Sequence, residues 1–445
     1  MKSKSRPTGW QWVTIADVAD PNGRAIVSGP FGSNIGRRFF VESGVPVIRG
    51  NNLTTDMTRF VDNGFVFVTE EKANELSGCE ALIDDLIFTA AGSLGQIGII
   101  PKEARFPRYI ISNKQLRARL DKSRVDPLFA FYWFSSPRMV EYIQQQNRGS
   151  SVPLINLSVL RSLPLPLPPL PEQRAIARIL GTLDDKIELN RRMNATLEAM
   201  AQAIFKSWFV DFDPVRAKMD GREPGGMDAE TAALFPDAFE EVDGQEVPEG
   251  WEVKGLDEIA TYLNGLALQK YPPEGEDYLP VIKIAQLRKG GVEGADKASA
   301  NLDSAYIIND GDVIFSWSGS LAVVLWCGGR GALNQHLFKV TSDHYPKWFY
   351  YLWTIHYLPD FQAIAAGKAT TMGHIQRRHL SEAKALVPPP KLLDGMNRTL
   401  APLIEMIVAN NVQSRTLAAL RDTLLPKLIS GEIRVPDAML EVAEA

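Results

Sequence analysis

Cysteine is almost missing: the 445 residues contain only Cys79 and Cys327. Two thiols cannot form a disulfide framework or a cysteine-rich metal site, and such sparse use fits a reducing compartment, so a cytosolic protein is expected. Long apolar runs are missing too. The most apolar stretch, residues 163–170, is cut by four prolines, and nothing approaches the roughly 18 consecutive apolar residues of a membrane span. Residues 1–6 are basic but lead into Gly9, Trp10 and Gln11, so no secretory signal is expected.

The familiar marks of catalysis are also absent. The Gly367-Lys368 pair is followed by alanine and lacks a phosphate-binding loop before it, which removes a Walker-type ATPase. Five histidines, His336, His344, His356, His374 and His379, lie in the second half without the spacing of paired metal ligands, so no metal is expected. The glycine-rich segments at residues 28–33 and 91–95 do not follow the dinucleotide-binding pattern. No Asn/Asp-Pro-Pro-aromatic signature of an adenosylmethionine-dependent amino-methyltransferase occurs. No catalytic residue is assigned.

A net charge of −5 argues at first against a nucleic-acid partner. The average conceals two regions. Residues 211–249 hold twelve acids against three bases, and the rest of the chain carries +4. Residues 105–124 hold Arg105, Arg108, Lys114, Arg117, Arg119, Lys122 and Arg124 against Asp121 alone. These seven would form a phosphate-facing surface if they shared a side, or else a solvated face.

What the sequence does have is a long internal repeat. Pro7-Thr8-Gly9-Trp10 returns as Pro248-Glu249-Gly250-Trp251. Val45-Pro46-Val47-Ile48-Arg49 matches Leu279-Pro280-Val281-Ile282-Lys283. Asp85-Leu86-Ile87-Phe88, with Gly92-Ser93-Leu94, returns as Asp312-Val313-Ile314-Phe315 with Gly319-Ser320-Leu321, and Asn113 aligns with Asn334. A proline-rich stretch then leads each copy into a helical segment. Short β-branched runs, Gly-rich turns and aromatic helical stretches at 126–143 and 347–361 give each copy a mixed α/β (α+β) character.

Residues 172–209 and 395–429 read as long helices of about 35 residues, roughly 50 to 55 Å each. Ile176, Leu180, Leu183, Ile187, Asn190, Asn194, Leu197, Ala201, Ile204 and Trp208 step by four and three, as in a coiled-coil seam. The second seam, 220 residues on, is more polar and includes Asn410, Ser414 and Arg421. Asn190 and Asn410 occupy equivalent positions, where a polar side chain fixes register or is solvated at the edge of a loose seam. If the helices pair, the intervening domain makes them antiparallel, with the copies related by an approximate two-fold. Boundaries follow: globular domains at 1–165 and 248–387, helices at 166–212 and 388–431, an acidic linker at 213–247 and a tail at 432–445.

The residues that remain suit binding: Gly/Ser turns flanked by side chains able to read base edges. In copy one they are Arg37, Arg38, Arg49, Asn51, Asn52, Ser93, Asn113, Lys114, Gln115, Arg148, Ser150 and Ser151. In copy two they are Lys283, Gln286, Ser318, Ser320, Asn334, Gln335, His336, Lys368, Thr370 and Thr371. Each type is also an ordinary turn former. Trp317, Trp326, Trp348 and Trp353 are core candidates that could alternatively stack on bases.

The Pro-x-Gly-Trp openings, the Gly-Ser turn after the Asp-aliphatic-Ile-Phe strand, the proline-rich lead-in at 166–173 and the Lys206-Ser207-Trp208-Phe209-Val210-Asp211-Phe212-Asp213-Pro214 segment carry a resemblance. Over nearly the whole chain the sequence resembles the DNA-specificity subunit of type I restriction-modification systems. The resemblance implies two tandem pseudo-symmetric target-recognition domains separated by two long antiparallel coiled-coil helices, each domain reading half of a bipartite DNA target. It implies two methyltransferase subunits docked on the helices, with two restriction subunits in the full complex. Adenosylmethionine, ATP and magnesium would belong to those partners and no cofactor to this chain. Copy two departs from the pattern, with Leu392-Leu393 in place of Glu172-Gln173 and Arg421 in the seam, which puts equal docking of two partners in doubt. A coiled-coil interaction scaffold without DNA contact is the alternative; a solitary nuclease lacks a carboxylate-lysine site.

Overall fold

A computed structural model describes residues 9–146, 154–242, 244–367 and 373–436. The chain divides into two compact units, residues 1–186 with 417–445, and residues 187–416. Each unit combines one globular repeat with part of each long helix.

Unit 1 holds β1 (Gln11–Thr14), β2 (Ile26–Ser28), β3 (Val45–Ile48), β4 (Val66–Val68), β5 (Glu80–Ala81), β6 (Leu86–Thr89), β7 (Ile97–Ile99), β8 (Tyr109–Ile111), β9 (Gln115–Ala118) and β10 (Pro164–Leu167). They form a four-stranded sheet in the order β2-β9-β6-β7, another in the order β4-β3-β8-β5, and the pair β1-β10. Among the described strands of this unit, only β3 and β8 pair in parallel. The β6 run Leu86-Ile87-Phe88 is buried throughout because the strand lies between two cores. Leu86 and Phe88 join the core of the aromatic helix Pro127–Ser135, whereas Ile87 joins Ile48 and Tyr109. Alternation persists, but both faces are covered, so the sequence reads as continuous apolar.

Unit 2 repeats this plan. A hairpin, β11 (Phe239–Val242) and β12 (Gln245–Pro248), precedes β13 (Glu252–Gly255), β14 (Thr261–Asn264), β15 (Tyr278–Ile282), β16 (Lys297–Ser299), β17 (Ile307–Ile308), β18 (Val313–Ser316), β19 (Ala322–Leu325), β20 (Gly331–Leu333), β21 (Leu337–Thr341) and β22 (Lys384–Val387). The sheets run β14-β21-β18-β19 and β16-β15-β20-β17, with the pair β13-β22. Strand for strand this is the order of unit 1, including its single parallel pair, β15 with β20. Val313 and Phe315 face one core and Ile314 the other. The repeat read from the sequence is a repeat of topology.

Prolines redraw the aromatic helices. The stretch expected at 126–143 is two helices, Pro127–Ser135 and Pro137–Gln145, because Ser136, ahead of Pro137, is forced extended. The second stretch also divides, into Lys347–His356 and Leu358–Ala366, but at Tyr357, which keeps a helical backbone. At the long helices proline has the opposite effect. They span Leu170–Phe209 and Pro390–Ile429, 40 residues each, and begin earlier than expected. Pro171 and Pro390 sit in first turns, where no N–H is needed and their fixed φ suits the helix.

In unit 2 the seam holds a polar cluster. Asn190 Nδ2 donates to Gln413 Oε1 at 2.9 Å and Ser414 Oγ at 3.2 Å. Asn194 Nδ2 donates to Asn411 Oδ1 at 2.8 Å, and Asn410 Nδ2 to Asn194 Oδ1 at 2.9 Å. Rising numbers on one helix meet falling numbers on the other, so the pair is antiparallel. In unit 1, Arg421 is not a solvated intruder: its Nη1 meets Asp184 Oδ1 at 2.8 Å, opposite it in the seam. Burial disfavours the guanidinium charge, but Asp184 and Asp422 outweigh this and raise its pKa.

The segment read as an acidic linker is folded over residues 213–242 and 244–247. Helices Asp213–Met219 and Ala229–Leu234 and the β11–β12 hairpin bury Val215, Phe235 and Val247 in the unit 2 core beside Trp208 and Trp251. Arg398 bridges to Glu230 at 3.3 Å and Asp228 at 3.6 Å. Gly395 lies inside the helix because a Cβ there would come within 2.9 Å of Thr231 Oγ1. The acids coat a folded insert whose apolar residues anchor it.

Candidate nucleic-acid interface

The antiparallel order β2-β9-β6 brings the end of β2, the end of β6 and the start of β9 to one end of a sheet. The parallel β3–β8 pair delivers the ends of those strands to the same place. Backbone bonds tie the turns together. Gly29 N donates to Gln115 O at 2.9 Å, Ala90 N to Lys114 O at 2.7 Å, and Ser112 N to Ile48 O at 2.9 Å. Residue 29 must be glycine, since a Cβ would overlap the Ser112 carbonyl. Unit 2 builds the same end: Gly265 N donates to Leu337 O at 3.0 Å and Gln335 N to Leu266 O at 2.9 Å. A Cβ at Gly265 would overlap the Asn334 carbonyl.

The sequence-selected residues divide into two groups at these ends. One group holds the turns. Asn52 is buried, accepts from Arg49 N at 2.9 Å, and donates to Val61 O and Asn63 O at 2.9 and 2.8 Å. Gln286 is its counterpart, buried and accepting from Lys283 N at 3.3 Å. Gln115 accepts from Ser112 Oγ. Asn334 accepts from His336 N at 3.3 Å. Arg49 Nη2 reaches Gly64 O at 3.2 Å, and Lys283 pairs with Asp296. Asn52, Gln286, Gln115 and Asn334 have polar atoms engaged inside the fold and shape the surface, with Arg49 and Lys283 tied down at its edge.

The other group presents side chains outward. Arg37, Arg38, Asn51, Ser93, Asn113, Lys114 and Ser320 are exposed. Ser320 accepts from Arg288 Nη2. Half-buried His336 is oriented by Ser318, its Nδ1 lying 3.0 Å from Ser318 Oγ, with Gln335 beside its Nε2 at 3.4 Å. Of the four tryptophans considered, Trp326, Trp348 and Trp353 are core residues. Trp317 lies at the candidate surface, stacked on Phe338 and donating to Asn264 Oδ1 at 3.0 Å. Arg148, Ser150, Ser151, Lys368, Thr370 and Thr371 lie outside the described residues.

The basic run at 105–124 is not a shared phosphate-facing surface. Arg119 makes a two-pronged contact with Asp85 at 2.8 and 2.7 Å, which raises its pKa through those hydrogen bonds. Buried Arg117 donates to the carbonyls of Glu80 and Arg24. Arg108 pairs with Glu70 and Glu80, Lys122 with Asp84, and Arg124 with the Asp17 carbonyl. The sequence window showed one acid because the partners come from elsewhere in the chain. Lys114 stays exposed on the readout turn.

Motifs that carried the resemblance have structural roles. Trp10 Nε1 donates to Glu172 Oε2 at 3.0 Å, and Arg434 Nε pairs with Glu172 Oε1 at 2.8 Å. Buried Gln173 accepts from Asp126 N at 2.9 Å and donates to Arg124 O and Pro168 O at 3.0 and 2.8 Å. These bonds lock the repeat's opening to its helix. In unit 2, Leu392 stands where Glu172 would, and the buried Trp251 Nε1 has no partner among the described residues. Both cysteine thiols are pushed up by burial, which disfavours the thiolate. Among the described residues, no group of three or more His, Cys, Asp or Glu could hold a metal, and no helix is long and apolar enough to cross a membrane.

Comparison with known proteins agrees with this layout. The family described as "Type I restriction modification DNA specificity domain" matches residues 7–199 and 248–392. The MjaIX specificity subunit of Methanocaldococcus jannaschii is 25% identical over 443 residues, covering 97% of this chain and 95% of that protein. The HindI specificity subunit of Haemophilus influenzae is 29% identical, over 73% of this chain and 81% of its own length. The crystal structure of an S subunit of a type I restriction-modification system from M. genitalium shares the fold, with a TM-score of 0.57, 15% identity and coverage of 94% and 96%. With both repeats matched, the chain belongs to the type I restriction-modification DNA specificity family.

Proposed function

We propose that this chain is the non-catalytic specificity subunit of a cytosolic type I restriction-modification complex, reading a bipartite double-stranded DNA target. The unit 1 turns read one half of the target and the unit 2 turns the other, while the long helices set the unspecified gap and dock two methyltransferase subunits. Two restriction subunits complete the complex. Adenosylmethionine, ATP and magnesium enter with the partners. The observation that carries this reading is the recurrence of the same glycine-braced turns at the same end of the same sheet in both units. Met193 and Met200, exposed on the first long helix, suit a partner contact. Phe205, on the same helix, is instead core, packed at 5.0 Å from both Phe209 and Trp353.

The test is methylation-sensitive sequencing of DNA from cells carrying the chain with its methyltransferase partner, against cells lacking it. A methylated adenine in each half of one gapped motif is expected, and exchanging residues 1–165 should change one half alone. An assembled complex that produces no motif would overturn this reading in favour of an interaction scaffold.

A further inference from the structure

Among the described large apolar side chains, Phe31 is the most exposed, at 79%. It belongs to the Ser28-Gly29-Pro30-Phe31-Gly32-Ser33 segment, which the absence of a nucleotide-binding pattern left without a role. Its loop is braced at both ends. Gly29 is fixed against Ser112 and Gln115, Pro30 restricts φ just before the ring, Gly32 turns at φ +58°, and Asn34 N donates to Phe31 O at 3.3 Å. The phenyl ring therefore stands in water on a held loop and does not fold onto its own base.

Its surroundings indicate what covers it. On one side follow the exposed Arg37 and Arg38, with Arg38 Nη2 donating to Ser33 O at 3.1 Å and its guanidinium over the Phe39 ring at 4.6 Å. On the other side, behind Gly29, are the exposed Asn113 and Lys114. A rigid apolar prong flanked by cations and hydrogen-bonding side chains is the pattern by which proteins hold phosphates while driving a side chain between base pairs.

We propose that Phe31 is a wedge that enters the base stack of the half-site read by unit 1. This rests on the DNA-specificity reading above and adds to it a deformation of the duplex at one half-site only. Unit 2 lacks the wedge: Gly265 makes the equivalent close approach, and two residues beyond it stands Ala267. Recognition is thus asymmetric, with one half-site unstacked and the other read by edge contacts alone. Because unstacking depends on the base step, Phe31 also contributes specificity that no hydrogen bond records.

The test uses the full chain assembled with its methyltransferase partner and duplexes carrying the motif found by methylation sequencing. 2-Aminopurine is placed in turn at positions other than the methylated adenines. The wild-type complex should raise the fluorescence of a probe in the unit 1 half and leave the unit 2 half quenched. Phe31→Ala should abolish the rise and weaken binding about 10- to 100-fold, the range of a lost aromatic–base contact. Phe31→Trp should restore both. Lys114→Ala is the control for a phosphate contact: it should weaken binding and reduce its salt dependence while keeping the fluorescence rise. A wild-type complex without a rise, or a Phe31→Ala complex with unchanged rise and affinity, would overturn the wedge while the methylated motif still upheld the DNA reading. Loss of subunit assembly in Phe31→Ala, measured by size-exclusion chromatography, would instead make the ring a protein contact. No methylated motif in the wild type would remove the DNA reading itself.

Discussion

Trp10 and Trp251 open the two repeats and are both buried, yet one donates its indole hydrogen to a carboxylate and the other to nothing among the described residues. Replacing each by phenylalanine removes the same atoms from two contexts. At Trp10 the loss comprises a hydrogen bond to a charged acceptor, worth about 1.5–3 kcal/mol, and a small cavity of about 1 kcal/mol. At Trp251 the cavity cost is offset by removing an unsatisfied buried donor, whose burial costs about 1–3 kcal/mol. Trp10→Phe should therefore destabilise unit 1 by about 2–4 kcal/mol, whereas Trp251→Phe should change unit 2 by no more than about 1 kcal/mol. Because two units need not unfold together, native-state hydrogen exchange is the assay, read at β6 and β9 for one unit and β18 and β21 for the other. A double-mutant cycle of Trp10→Phe with Glu172→Leu should give a coupling near 2 kcal/mol. Most of this is assigned to the indole bond, since Arg434 is half exposed and its ion pair is screened. Equal costs at the two tryptophans, or a coupling under about 0.5 kcal/mol, would refute the argument.

Three other outcomes follow from the same geometry. Arg421→Met should destabilise unit 1 by about 2–4 kcal/mol, because the mostly covered Asp184 would lose its ion-pair partner and keep the Tyr132 hydroxyl at 2.6 Å and the nearby Arg59 charge; hydrogen exchange in the unit 1 sheets checks it. Asn410→Leu should cost about 1–3 kcal/mol by stranding Asn194 Oδ1, and adding Asn194→Leu should recover part of that while loosening register, detectable as new inter-helix crosslinks; a double variant no more stable than the single would count against it. Hydrogen bonds from Arg415, aided by Gly329 N, hold Asp310 below its ordinary 3.8. Its contribution is therefore complete above that value and lost as pH falls below it, so Asp310→Asn should flatten the acid limb of unit 2 stability.

The fold was legible because its repeat is written in order: a buried strand, a Gly-Ser turn, an Asn turn and a proline-led helix. Period-four and period-three spacing gave the seam, and Asn190 and Asn410 do meet one polar cluster. What stayed hidden needed partners distant in sequence. Arg119 looks like one of seven free bases until Asp85, 34 residues away, is brought beside it. Arg421 looks like a flaw in a seam until Asp184 lies opposite, 237 residues away. The acids of 213–247 concealed Val215, Phe235 and Val247, which anchor the segment. At the candidate interface the sequence gathered suitable residue types but could not separate those that bond inward, such as Asn52 and Gln286, from those that point out.

That separation carries its own argument about retargeting. Aligning the units by Gly29 with Gly265, whose close approaches pair Ser112 with Asn334, one residue off the sequence match of Asn113 with Asn334, the elements that brace the turns recur: the glycine close approach, the Asp85 and Asp312 strand starts, and the Asn52 and Gln286 caps, which both hold the backbone N–H three residues earlier. Side chains beside those braces differ: Ala90 and Ala91 against Trp317 and Ser318, Asn113 and Lys114 against Gln335 and His336. A substitution that points into solvent leaves the braces intact and changes stability by little, about 0.5 kcal/mol or less. Under the proposed reading the bases recognised can therefore change without refolding the domain. Placing the corresponding unit 2 side chains at positions 114 and 115 should uncouple the two cases: Lys114→His alters only what is presented, whereas Gln115→Leu removes the Ser112 acceptor and should loosen the turn. If both changes cost unit 1 the same stability, the distinction between brace and reader fails.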